Sequence, residues 1–95
     1  MRRKRNTNKA GKNFDEAAII EVWSKGNFIP ERRSNIWRKD IYGAVIKFSH
    51  YGNRKSKYGW EIDHIVPVVN GGSDDIRNLQ PLHWENKIGK DDQLN

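Results

Sequence analysis

A small single-domain α+β fold is what this sequence predicts, and three observations predict it. With 95 residues, of which 35% are hydrophobic, the chain has material for one core close to the lower size limit of self-sufficient domains. An early run carries apolar residues at helical spacing, and a second helical run lies near the end. Between them, two segments alternate in the manner of strands and are separated by turns rich in glycine and lysine.

The elements follow in order. Residues 1–12 are too polar and charged to pack and read as a mobile basic arm, leaving 13–95 as the folded domain. In NFDEAAIIEVWSKG, Asn13 stands as N-cap with Glu16 three residues on; Ala17, Ile20 and either Trp23 or Ser24 share a face, and Gly26 sits where a helix would end. Pro30 then breaks structure in NFIPERRSN. IWRKDIYG reads as a short helix or a turn, and AVIKFSHYG as a strand with Ala44, Ile46 and Phe48 opposed to Lys47 and Ser49. NRKSKYG is a basic loop. WEIDHIVPV gives a second strand ended by Pro67, and NGGSDD supplies Gly71 and Gly72 for a loop that needs positive φ. NLQPLHWENKIGKDD holds a short extended piece with Leu79 and Leu82, then a helix around Trp84 to Lys90 that Gly89 weakens. The four tryptophans, Trp23, Trp37, Trp60 and Trp84, are the natural core builders. Base stacking by Trp37 or Tyr58 has no support in the pattern.

Charge is unevenly placed. The net charge is +6, with +6 on residues 1–13, −2 on 14–30, +6 on 31–58 and −4 on 59–95. Such a division suits a protein that grips phosphates with one part and holds a cation with another. The alternative is a basic tail that only keeps the chain soluble. Absence of cysteine removes disulfides and thiolate zinc sites, which fits a reducing compartment. No run of about 18 apolar residues and no apolar segment behind the basic start is present, so the expectation is a cytoplasmic protein without a membrane partner.

One pair of residues resists a purely structural reading. GWEIDHIVPVVNGG puts Asp63 and His64 side by side in an apolar extended run, where a charge is costly unless something pairs with it or coordinates it. Neighbours on a strand leave opposite faces, so the two would have separate tasks. Asp63 is a hard oxygen donor suited to Mg²⁺, and His64 is a base near neutral pH. A structural ion pair is the competing reading. Asn78 could fix the orientation of the imidazole or cap the turn into the next extended piece. Asn86 and Lys90, four apart on the last helix, share a face.

Taken together, the Asp-His pair, the glycine-rich loop, NLQPL and a helix bearing Asn then Lys resemble the HNH endonuclease motif over roughly Trp60 to Asp92. WRKD, YG and GWEIDHI upstream also look like the small single-domain members encoded by bacteria and phages. The resemblance implies a ββα-metal core: two strands joined by a long loop, then a helix, around one divalent cation. It implies Asp63 and Asn86 as metal ligands, His64 as general base and Asn78 as the residue that orients it. Lys90 falls where colicin-type DNases carry a further metal-binding histidine; an ammonium cannot ligate, so Lys90 reads as a phosphate contact or a solvated surface lysine. Two oxygen donors without cysteine favour Mg²⁺ or Mn²⁺ over zinc. His83, just before the helix, reads as a packing residue rather than a ligand, and His50 as a surface histidine.

The implied activity is one-metal hydrolysis of DNA phosphodiester bonds. Arg77, Lys87, Lys90, Arg54, Lys55 and Lys57, with Arg32, Arg33, Arg38 and Lys39 of the basic middle, are the candidate backbone contacts. With no obvious separate recognition domain, the expectation is that specificity comes from a partner protein or a second copy, or is low. Two other classes stay open: a nucleic-acid-binding module that no longer cuts, and a metal-stabilised interaction domain.

Overall fold

Two antiparallel hairpins and two helices make up the fold. The structure is a computed structural model and describes residues 3–93. Helix α1 (Glu16–Trp23) is followed by strands β1 (Trp37–Lys39) and β2 (Val45–Lys47), then β3 (Trp60–His64), β4 (Leu79–His83) and helix α2 (Trp84–Gln93). β1 pairs with β2 and β3 with β4, each antiparallel and in separate sheets.

The cap of α1 is Asp15 rather than Asn13: its carboxylate accepts from the Ala18 N–H at 2.8 Å, satisfying one of the orphan donors of the first turn. The buried face also differs from the spacing first read. Val22 and Trp23 are buried with Ile19 packed beside them, while Ala17 and Ile20 face outward. Positions 19, 22 and 23 satisfy the same helical period, and they carry the larger apolar surface. IWRKDIYG forms β1 and a turn, not a helix. AVIKFSHYG gives a strand only as far as Lys47, because Phe48–His50 tightens into a 3₁₀ turn.

The core joins Val22, Trp23, Ile46, Trp60, Ile62 and Leu79. Trp23 and Trp60 meet at a tilt with 5.2 Å between ring centroids, and Tyr51 meets Trp60 edge-on at 4.9 Å. Trp37 and Trp84 are only half-buried. The Trp37 ring has Arg32 and Lys47 within cation–π reach, and the Trp84 indole N–H donates to the Ser56 carbonyl.

Polar groups do much of the joining. Asp40 is 1% exposed and its carboxylate accepts four hydrogen bonds, from the N–H groups of Tyr42, Ala44 and His83 and from the Asn86 side chain. It thereby fastens the β1–β2 turn to the β4–α2 junction. Glu61, equally buried, is held by Arg54 through two bonds of 2.6 and 2.9 Å, with Arg5 at 3.6 Å.

Residues 3–13 are not a free arm. Thr7 bridges Asn13, Arg3 donates to the Thr7 and Asn8 carbonyls, and the Asn6 side chain accepts from the Ile62 N–H at 2.9 Å. Side-chain-to-backbone bonds replace the apolar packing that this segment lacks. Met1 and Arg2 of the expected arm lie outside the described residues.

Candidate active site

The β3–β4 hairpin sets up the site. Asp63 pairs with Gln80 and His64 with Leu79 in its register, so the Asp-His pair ends β3 while residues 65–78 form the connection. Gly71 adopts φ 91°, a left-handed conformation that favours glycine. Gly72 is required for a different reason: a Cβ there would stand 1.7 Å from the Val66 carbonyl oxygen. Asn78 closes the same loop. Its amide donates to the carbonyls of Val66 and Ser73, and its oxygen accepts from the Val66 N–H at 2.8 Å. Both ends of the side chain are therefore spent on backbone. The turn-capping reading of Asn78 describes these contacts, and the imidazole-orienting one does not.

Asp74 is the residue that holds the imidazole. His64 Nε2 lies 2.8 Å from Asp74 Oδ1, and both carboxylate oxygens of Asp74 accept from the Lys9 N–H at 2.9 and 3.0 Å. A carboxylate only accepts, so Nε2 carries the proton and the neutral ring keeps its lone pair on Nδ1. Burial alone would push the Asp74 carboxyl up; the bonds from His64 and Lys9, with the nearby charge of Arg3, outweigh it and hold the group below its usual range. The side chain of His64 is 11% exposed.

Asp63 leaves β3 for another set of partners. It is 1% exposed. Its Oδ2 accepts from Lys90 Nζ at 2.6 Å and Gln80 Nε2 at 2.9 Å, and its Oδ1 lies 3.7 Å from Lys87 Nζ. Lys90 also donates to the carbonyls of His64 at 2.8 Å and Ile65 at 3.2 Å, which uses all three of its N–H bonds. It is neither a solvated lysine nor a donor with a bond left for phosphate. Lys87 bonds Asp91 at 2.6 Å, one turn along α2.

Asn86 does not join Asp63. Its amide donates to Asp40 at 2.8 Å, at the start of α2. Among the described residues no group of three or more His, Asp or Glu side chains converges on a common point. Asp63 and Asn86, the expected donors for Mg²⁺ or Mn²⁺, hydrogen-bond to different partners, Asp63 to Lys90 and Gln80 and Asn86 to Asp40. His83 is also occupied: Nε2 bonds the Lys57 carbonyl at 2.8 Å and Nδ1 accepts from the Glu85 N–H. His50 bonds Ser56.

A cleft of about 460 Å³ opens beside these groups, lined by Arg3, Lys4, Arg5, Arg54, Asp63, His64, Lys87 and Lys90 among others. Two of the expected phosphate contacts are committed elsewhere, Arg54 to Glu61, and Arg38 to the carbonyls of Ser24, Gly26 and Ser34. Arg77 is exposed but paired with Asp75, whose carboxyl it draws down to about 2. Lys55 and Lys57 are exposed. Asp74, Lys9 and Asn6 were not foreseeable from the sequence, because SDD reads as turn chemistry and an arm without apolar residues carries no docking signal. Lys87 and Lys90, three apart and facing a lone buried acid, were the available clue to the locked carboxylate.

Comparison with protein-family models matches residues 48–85 to the family described as HNH endonuclease. No curated protein and no solved structure matches the chain. The match covers β3, the glycine loop, Asn78 and β4, and ends one residue before Asn86. Over residues 48–85, less than half of the chain, the segment with His64 at the end of β3 and Asn78 closing the loop behind it is thus similar to the HNH endonuclease family.

Proposed function

We propose that this chain is a nuclease that hydrolyses phosphodiester bonds of DNA in the cleft beside His64. The observation that carries the reading is the 2.8 Å bond from His64 Nε2 to Asp74 in a cleft walled by Arg3, Lys4, Arg5 and Lys87. Asp74 sets the tautomer, so Nδ1 is the atom that takes the proton of an attacking water, and the resulting imidazolium is stabilised by the same carboxylate. The cationic wall attracts the phosphate backbone and offsets charge that develops on the phosphoryl oxygens. Exposed Lys4 is the contact this reading favours first, then Arg3, Arg5 and Lys87, which would have to leave their bonds to backbone carbonyls, Glu61 and Asp91, with Lys55, Lys57 and Arg77 as outlying ones. No step is assigned to a metal, since the Asp63 carboxylate is already bonded to Lys90 and Gln80 and the Asn86 amide to Asp40.

The test is plasmid nicking with and without Mg²⁺ or Mn²⁺. Wild type should nick, and His64→Ala should lose about 10²–10⁴-fold in rate while keeping its circular-dichroism spectrum and DNA affinity. One observation favours a second reading, a nucleic-acid-binding module that does not cut: Lys90 has taken the carboxylate that a metal would need. DNA binding with intact plasmid under every divalent ion would establish that module instead.

A further inference from the structure

The surroundings of Lys90 have the make-up of a hard-cation site. Around its ammonium stand one carboxylate oxygen, Asp63 Oδ2 at 2.6 Å, and two backbone carbonyl oxygens, those of His64 at 2.8 Å and Ile65 at 3.2 Å. These are the donor types that Mg²⁺, Mn²⁺ and Ca²⁺ use. A carboxylate that is 1% exposed needs hydrogen bonds or a cationic partner to offset its lost solvation, and here the chain supplies an ammonium from its own helix. Gln80 holds the carboxylate from the neighbouring strand, and Lys87 lies 3.7 Å from its other oxygen.

We propose that Lys90 is a tethered cation: its ammonium fills an oxygen cage that excludes divalent ions in the wild-type protein and accepts one when the lysine is removed. A lysine ammonium is a compact point charge, so it can occupy a cation's place without being a ligand. The two states differ in how the charge is held. The ammonium is fixed covalently to α2 and needs no ion from solution, whereas a divalent ion would have to displace it and then remain near the ammoniums of both Lys87 and Lys90. The inference stands whether or not the protein cuts DNA, because it concerns what neutralises Asp63.

Mn²⁺ binding, followed by electron paramagnetic resonance and by thermal unfolding of the full chain, tests it directly. Wild type should bind no stoichiometric Mn²⁺, and its Tm should not move with the ion. Lys90→Ala should gain one Mn²⁺ per chain, with a Tm raised by roughly 5 °C or more at saturating ion, and Asp63→Asn in that background should abolish the gain. Lys87 can swing toward the vacated carboxylate, so Lys87→Ala combined with Lys90→Ala is the second variant. Gain in either variant supports the proposal. Stoichiometric Mn²⁺ on wild type that Asp63→Asn removes would overturn it. So would the failure of Mn²⁺ both to bind and to raise the Tm of the two variants, a readout that holds even if they are unstable without the ion.

Discussion

Replacing Arg54 by Ala separates two uses of one side chain. From the sequence, Arg54 is a phosphate contact in a basic loop; in the fold it neutralises Glu61, which is 1% exposed and receives 2.6 and 2.9 Å bonds from the guanidinium. Removing one partner of a buried pair leaves an uncompensated charge, at a cost of about 3–5 kcal/mol. Two features lower that figure here. Arg54 is itself 28% exposed, and Arg5 lies 3.6 Å from the same carboxylate. The expected loss is therefore about 2–3 kcal/mol, equivalent for a domain of this size to roughly 10–20 °C in Tm. Urea unfolding followed by circular dichroism measures it. The double variant Arg54→Leu with Glu61→Leu should recover part of the loss, since an apolar pair leaves no charge unpaired. Tyr51 offers a second reporter. Burial and the charge of Glu61 push its phenol above the ordinary range, and further isolation of that charge should carry it higher. A loss of under about 1 kcal/mol together with a tenfold fall in DNA affinity would refute the argument and return Arg54 to the phosphate surface.

Two further outcomes follow from the loop behind β3. Asp74 titrates below its ordinary 3.8 when folded, so what it contributes is fully present above that value and is lost as the pH falls through the depressed one. The Asp74 carboxyl ¹³C shift and the Lys9 amide should accordingly report release of the N-terminal segment only below pH 3.8; a transition of that carboxyl above it would contradict the assigned bonds. Gly72→Ala should destabilise the fold by about 1–3 kcal/mol in urea unfolding, because its Cβ meets the Val66 carbonyl oxygen at 1.7 Å and the Asn78 amide at 3.0 Å. Gly71→Ala meets no atom and carries only the strain of φ 91°, so the second variant should be the milder; the reverse order would mean that the loop is built differently.

What was legible in the sequence was local. The Asp63-His64 pair, the glycine loop, Asn78 at its close and α2 behind β4 are all written in residues near one another, where turn chemistry and helical period apply. The partners of those residues were not legible. Asp74 reaches His64 only because the loop folds back, and Lys9 and Asn6 reach Asp74 and Ile62 across most of the chain. Helical spacing likewise put Asn86 and Lys90 on one face but said nothing about axial reach. Asn86 is held by Asp40 at the first turn, while the long stem of Lys90 spans to Asp63 from the next. Asp40 looked like an ordinary turn acid and is the fastening of a whole junction, which its four bonds reveal and its sequence context does not.

The bond between Lys9 and Asp74 joins residues 65 positions apart. During synthesis, then, the His64 imidazole cannot acquire its final support until the ribosome has released nearly the entire domain.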